Sequence, residues 1–242
     1  MEKVVYLINS TVPAGQRYDL VVDTLLPILR RVGATHIHFA VVDESVAPAD
    51  DKRVVDEQTQ FNIFLSFWVS TAIRLDGWMA DDDIRALSEA VLAIDPGLRR
   101  YAVTESTVLD VNEQLEAGAS GVVQLPGWQQ VVLLKIPDSL SREQWFDTWL
   151  YSHADIACEV QSTFGYIHNI VQRALPGTER TIDAMVSENF PEAAKTDLEV
   201  FYDAVGDSEK LKQNIQAMIN SCERFIDNTD ITVVPMTAYQ CS

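Results

Sequence analysis

The chain of 242 residues holds four histidines, and two of them, His153 and His168, fall in one stretch from Ser141 to Arg173, SREQWFDTWLYSHADIACEVQSTFGYIHNIVQR. Imidazole is the side chain whose ordinary pKa lies within the physiological range. Among apolar neighbours its charged form is disfavoured, so it can act as a neutral base near pH 7. His153 is spaced for such a place: at roughly 100° per residue, Trp145, Phe146, Trp149, Leu150, Ile156 and Ala157 share one helical face and His153 falls near its middle. On the strand that follows, Phe164, Tyr166, His168 and Ile170 point one way and Ile167, Asn169 and Val171 the other. Tyr166 and His168 then offer a hydroxyl and an imidazole to one cavity. Such a set suits removal of a proton next to a carbonyl, followed by loss of a hydroxyl or carboxyl group. The blander reading has both side chains hydrogen-bonding across to a facing sheet. Asn169 lies on the opposite face, and whichever face meets the helix of His153 decides which side chains join it. Trp145 and Trp149 read as core or pocket wall.

His36 and His38 form an H-x-H pair on a second strand, a spacing that can chelate a divalent metal but for which the sequence fixes no third ligand. Cavity-lining or structural imidazoles are the simpler reading, and no resident metal or other cofactor is expected. The Asp81-Asp82-Asp83 run reads as a helix start. There is no Walker loop, GxGxxG, GxSxG or HExxH, so phosphate, dinucleotide and hydrolase chemistries have no support.

The elements that must position these residues recur in order. Val4 to Ile8 reads as a strand, Asp19 to Arg31 as a helix kinked at Pro27, Thr35 to Asp43 and Phe61 to Ile73 as strands, Ile84 to Ile94 as a helix stopped by Pro96-Gly97, and Tyr101 to Val111 as a strand. Glu44 to Gln60 is an acidic loop. After a glycine-bearing linker over 112–127 the order restarts: strand Gln130 to Ile136, helix Ser141 to Cys158 capped by Ser141, strands Phe164 to Gln172 and Thr181 to Val186, a helical stretch broken at Gly206, and strand Ile231 to Tyr239. The repeated β-α-β-β-α-β order predicts an α+β chain of two ferredoxin-like units, residues 1–115 and 125–242. The units come into register at Ile37-His38 and Ile167-His168. Each four-stranded sheet leaves one apolar face, so two in one chain are expected to stack sheet on sheet as a pseudo-dimeric α+β barrel.

Composition bounds the partners. A net charge of -18, from 18 Lys and Arg against 36 Asp and Glu, argues against nucleic acid and anionic membrane surfaces. Three cysteines without paired spacing, and no signal sequence at the start, fit a reducing cytoplasm. The longest apolar run, Phe61 to Ile73, is too short to span a bilayer.

The opening strand VVLLKIP, the helix SREQWFDTWLYSHADIA, the strand FGYIHNIVQR and the tail SCERFIDNTDITVVPMTAYQ resemble the EthD family of the dimeric α+β barrel superfamily over nearly all of residues 128–242. The first half resembles it only in element order and in KVVYLIN, as a diverged copy. The resemblance implies His153 as the catalytic candidate, with Asp155 standing where many members have proline. The first-half helix ends at Arg30-Arg31 without a histidine, so one site per chain is expected. The resemblance implies cofactor-free acid/base chemistry of lyase or isomerase type, dehydratase or decarboxylase, on a small apolar or aromatic molecule. Ligand-binding residues are then Trp145, Trp149, Tyr166, His168, Asn169, His36 and His38. The alternative is a non-catalytic carrier or accessory protein; either would be a monomer with its internal pseudo-dimer, or a homodimer.

Overall fold

The computed structural model describes residues 1–55, 60–76, 81–111, 121–227 and 230–241. Strand β1 (Glu2–Ile8) runs into a helical segment α1 over 17–31, whose middle, Leu20–Leu25, is wound as a π-helix. Then come β2 (Thr35–Val41), β3 (Ile63–Val69), α2 (Asp82–Ile94) and β4 (Arg99–Leu109). Short β5 (Val122–Gln124) precedes β6 (Trp128–Leu134), and a second long helical segment, α3, covers 142–160. The chain finishes with β7 (Gly165–Ala174), β8 (Ala184–Phe190), α4 (Leu198–Phe201), α5 (Ser208–Cys222) and β9 (Thr232–Cys241).

The strands hydrogen-bond in the order β2-β3-β1-β4-β7-β8-β6-β9, and β9 pairs back onto β2, so the sheet closes. Every pairing is antiparallel. This corrects the architecture expected from sequence. The molecule is a closed eight-stranded antiparallel barrel with helices outside it, not a pair of ferredoxin-like sheets stacked face to face. What overturns that expectation is the continuous ladder: β4 pairs with β7 over most of its length and β2 with β9, so the halves are joined edge to edge by backbone hydrogen bonds. The expected linker also changes character. Residues 112–120 lie outside the described residues, while β5 pairs with the end of β9 that β6 leaves free. Within the expected acidic loop, Glu44–Lys52 forms a 3-10 helix and Val54 bridges to Val233; residues 56–59 lie outside the described residues.

The strand registers repeat between the halves. Lys3 pairs with Trp68 and Val4 with Phe67 across β1 and β3, as Gln129 pairs with Asn189 and Gln130 with Glu188 across β6 and β8. His38 opposite Ser66 matches Ile167 opposite Ser187, which puts the Ile-His dipeptides one residue out of register. The cause is an irregularity between Thr35 and His38, where His36 takes a φ of 47°. Such a bulge inserts one residue and turns later side chains to the other face.

Alternation along the strands divides the core. Inside the barrel Val5, Leu7, Phe64, Val131, Leu133, Val171, Met185 and Met236 pack together. Outside it, Val4, Tyr6, Leu65 and Phe67 meet Val21, Leu25 and Leu29 of α1 and Leu87 and Val91 of α2. The outer face of the second half meets α3 and α5 through Trp145, Trp149, Ala157 and Met218. Asp81 caps α2 by accepting the Ile84 N–H at 2.9 Å, the role that its place in the acidic run predicts.

Candidate functional site

Helix α3 starts from a capping box: the Ser141 hydroxyl accepts the Gln144 N–H at 3.2 Å and the Gln144 side chain accepts the Ser141 N–H at 2.9 Å. Trp145 follows, fully buried, with its indole N–H donating to the Phe225 carbonyl at 3.0 Å. At Trp149–His153 the helix loosens into a π turn, so the Ala154 N–H reaches the Trp149 carbonyl. One extra residue in the turn lets His153 and Ala154 both face inward between Trp149 and Ala157, which a regular 100° spacing does not allow.

The face of β7 that meets this helix is the one carrying Tyr166 and His168. The His168 ring lies 4.7 Å from the rings of both Trp149 and Tyr166. Asn169 points the other way, into the barrel, and is wholly buried. Tyr166 and His168 therefore point to the helix layer and not to a facing sheet.

Between α3, α5 and the outer face of β6, β7 and β8 lies a cavity of about 280 Å³ whose lining includes Trp149, His153, Tyr166, Glu188, Tyr202 and Cys222, with Gln130, Val132, Val186, Met218 and Phe225 also on its walls. His153 Nδ1 is 2.9 Å from the Ser221 hydroxyl and its ring packs 4.5 Å from that of Phe225. Burial is the chief reason its pKa is lowered to about 4, so the imidazole is neutral at physiological pH. His168, lowered to about 4 by burial, is neutral as well.

The residue that sequence reading missed is Glu188. It is buried on β8, opposite Tyr166 on one side and Gln130 on the other. Gln130 Nε2 donates to a Glu188 carboxylate oxygen at 3.0 Å. Burial pushes the Glu188 pKa up to about 7, against the milder opposing effect of the Gln130 hydrogen bond. The same burial raises the Tyr166 hydroxyl well above its ordinary value, so Tyr166 stays a protonated donor. No hydrogen bond joins His153 to Glu188. The strand expected over 181–186 ends two residues before Glu188; continued at period two through SENF, it places an acid on an apolar outer stripe, which is the signal the sequence carries.

The matching positions of the first half are apolar. Where the second half has Gln130 and Glu188, the first has Val4 and Phe67, which pack solidly under α1 and α2. The cavity also borrows from the first half. Lys52, from the 3-10 segment Glu44–Lys52, lines it, with its ammonium 5.7 Å from the Phe201 ring and donating to the Lys195 carbonyl at 2.7 Å.

Trp145, Trp149, His153, Tyr166 and His168 are thus brought together, while His36, His38 and Asn169 are not: all three belong to the barrel interior or its mouth. His36 and His38 do border one cavity there, but among the described residues no group of three or more His, Cys, Asp or Glu is placed to hold a metal.

A closed antiparallel barrel with a helix-covered cavity holding a carboxyl group poised near neutrality is the class of structure that these observations define. Among solved structures, an anthrone oxidase-like protein is similar over 100% of this chain and 91% of its own, at 10% identity and a TM-score of 0.51. A protein described as a putative monooxygenase from Fusobacterium nucleatum covers 100% of this chain and 92% of its own at 7% identity and a TM-score of 0.49. Another so described, from Lactobacillus acidophilus, covers 99% and 93% at 7% identity and a TM-score of 0.43. At these identities the likeness is one of fold. No protein-family model matches the chain and no curated protein matches it, so the narrower EthD resemblance gains no support from either comparison. No helix among the described residues is long and apolar enough to cross a membrane.

Proposed function

We propose that the helix-covered cavity binds a small apolar or aromatic carbonyl compound and removes a proton from the carbon beside the carbonyl, as the first step of a cofactor-free lyase or isomerase reaction. The observation that carries this reading is Glu188. A carboxyl group with a pKa of about 7 is present in useful amounts as a base at physiological pH and holds a proton firmly enough to return it. His153, kept neutral by burial, serves as the electrophile. In the tautomer in which the Ser221 hydroxyl donates to Nδ1, Nε2 carries the ring proton and hydrogen-bonds the substrate oxygen as it gains negative charge. The Tyr166 hydroxyl, across the strand pair from Glu188, is a second donor to that oxygen. Trp149, Val132, Val186 and Met218 supply the apolar wall. The resemblance of residues 128–242 to the EthD family points the same way in assigning His153, here in a supporting role beside Glu188.

A carrier that only sequesters such a molecule is the second reading, favoured by the lack of a direct hydrogen bond between His153 and Glu188. Solvent-deuterium exchange separates the two. Anthrone, an aromatic ketone with acidic methylene hydrogens, is incubated in D2O with the protein, and deuterium incorporation is followed by NMR. An enzyme of the proposed kind accelerates exchange, and Glu188→Gln abolishes the acceleration while retaining anthrone binding. Binding without accelerated exchange supports the carrier; no binding of anthrone or other aryl ketones overturns both.

A further inference from the structure

The barrel interior changes character along its axis, and its polar end forms a second cavity of about 150 Å³ that opens beside the exposed His36. Gln129 and Asn189, cross-strand partners in the β6–β8 ladder, line it from inside. They are 0% and 3% exposed, and neither Gln129 Nε2 nor Asn189 Nδ2 has a hydrogen-bond partner among the described residues. Their positions match Lys3 and Trp68 in the first half, which line the same cavity. His38 Nε2 is 2.9 Å from Gln129 Oε1 and donates to it, which leaves the Gln129 amide N–H2 as the free end. A buried donor left unpaired forfeits its hydration without compensation, so the cavity is built for an occupant with acceptor oxygens.

The chemistry of that occupant follows from the rest of the lining. An apolar molecule would leave both amides unpaired. An anion would meet the carboxylates of Glu105 and Asp110, against which stands the single ammonium of Lys3, itself held by Glu105 at 2.6 Å. Hydroxyl groups are donors and acceptors at once and match a wall where amides, carboxylates, serines and an ammonium alternate. The rings of Phe64 and Trp68 offer an apolar surface for C–H groups. The volume corresponds to roughly five waters of the bulk liquid. We infer that the lumen binds a small uncharged polyol of about the size of erythritol or a pentose, at a site separate from the helix-covered cavity.

Saturation-transfer NMR and titration calorimetry with erythritol, ribose and sodium acetate on the whole chain test this. The expected result is saturable binding of ribose or erythritol that acetate does not displace. Asn189→Leu, which keeps the side-chain volume and removes the donor, is expected to weaken that binding roughly tenfold, about 1.4 kcal/mol. Anthrone binding in the other cavity is unchanged in this variant, which also shows that it folds. Trp68→Leu, at the half-buried rim, provides an independent second loss. Absence of saturable polyol binding overturns the inference, with water as the sole occupant. So does displacement by acetate, or an affinity unchanged in both variants.

Discussion

Replacement of Glu188 by glutamine isolates the ionisation of one buried carboxyl group. The folded protein raises the Glu188 pKa from 4.5 to about 7 through burial. Between those two values the native chain keeps a proton that the unfolded chain has lost, so stability falls as pH rises through this window and levels off above it. At about 1.4 kcal/mol for each tenfold change in proton affinity, the full penalty is roughly 3 kcal/mol. Glu188→Gln has the same shape, and its amide oxygen still accepts from Gln130 Nε2, but it carries no such penalty. Urea unfolding of both proteins from pH 4.5 to pH 8 reads the difference directly, since every other titrating group is common to the two. The variant is expected to equal the wild type at the acid end and to exceed it by up to about 3 kcal/mol at the alkaline end. A difference that stays flat across the window would refute the reasoning, because it would mean that the carboxylate is hydrated through the cavity.

The imidazoles act with opposite sign. His153 falls from 6.5 to about 4 on folding, so the stability of its neutral native form is complete above 6.5 and is lost as pH falls toward 4; His153→Gln is expected to flatten this acid limb in thermal unfolding at graded pH. Trp145→Ala removes a fully buried indole and its hydrogen bond to Phe225, with an expected loss of about 3–5 kcal/mol by urea titration. Gly127 sits at a φ of +66°, and a Cβ there would lie 1.9 Å from the Phe190 carbonyl oxygen. Gly127→Ala is therefore expected to lower Tm by several degrees in calorimetry, and an unchanged Tm would contradict this backbone geometry.

Local signals in the sequence were sound where one element decides the outcome. Ser141 and Asp81 cap the helices they precede, and period-two alternation separates Tyr166 and His168 from Asn169. Features that need two distant segments were not legible. Closure of the barrel rests on pairing β2 with β9, some two hundred positions away, which no short-range pattern encodes. The bulge at His36 and the π turn at Trp149–His153 each insert one residue: the first shifts the Ile-His alignment by one place, and the second adds Ala154 to the buried helix face that already holds His153. Glu188 escaped because its strand runs on past Val186 as far as Phe190 and is buried throughout, so the alternation of apolar and polar residues fades there.

The edge-to-edge union of β4 with β7 and of β2 with β9 bears on how this chain can be cut. A barrel abolishes sheet edges, and separating the halves between β5 and β6 would take β4 from β7 and β2 from β9 at once. A fragment holding only residues 125–242 would carry the complete outer wall of the helix-covered cavity, without the Lys52 that reaches it from the first half, between two bare ladders. Because β4 and β9 occupy matching places in the repeated order, the bare β7 of one fragment is suited to the bare β9 of another. Joining the two halves in one polypeptide thus does more than bring them together: it supplies Lys52 to the helix-covered cavity and keeps reactive strand edges from seeking copies of themselves.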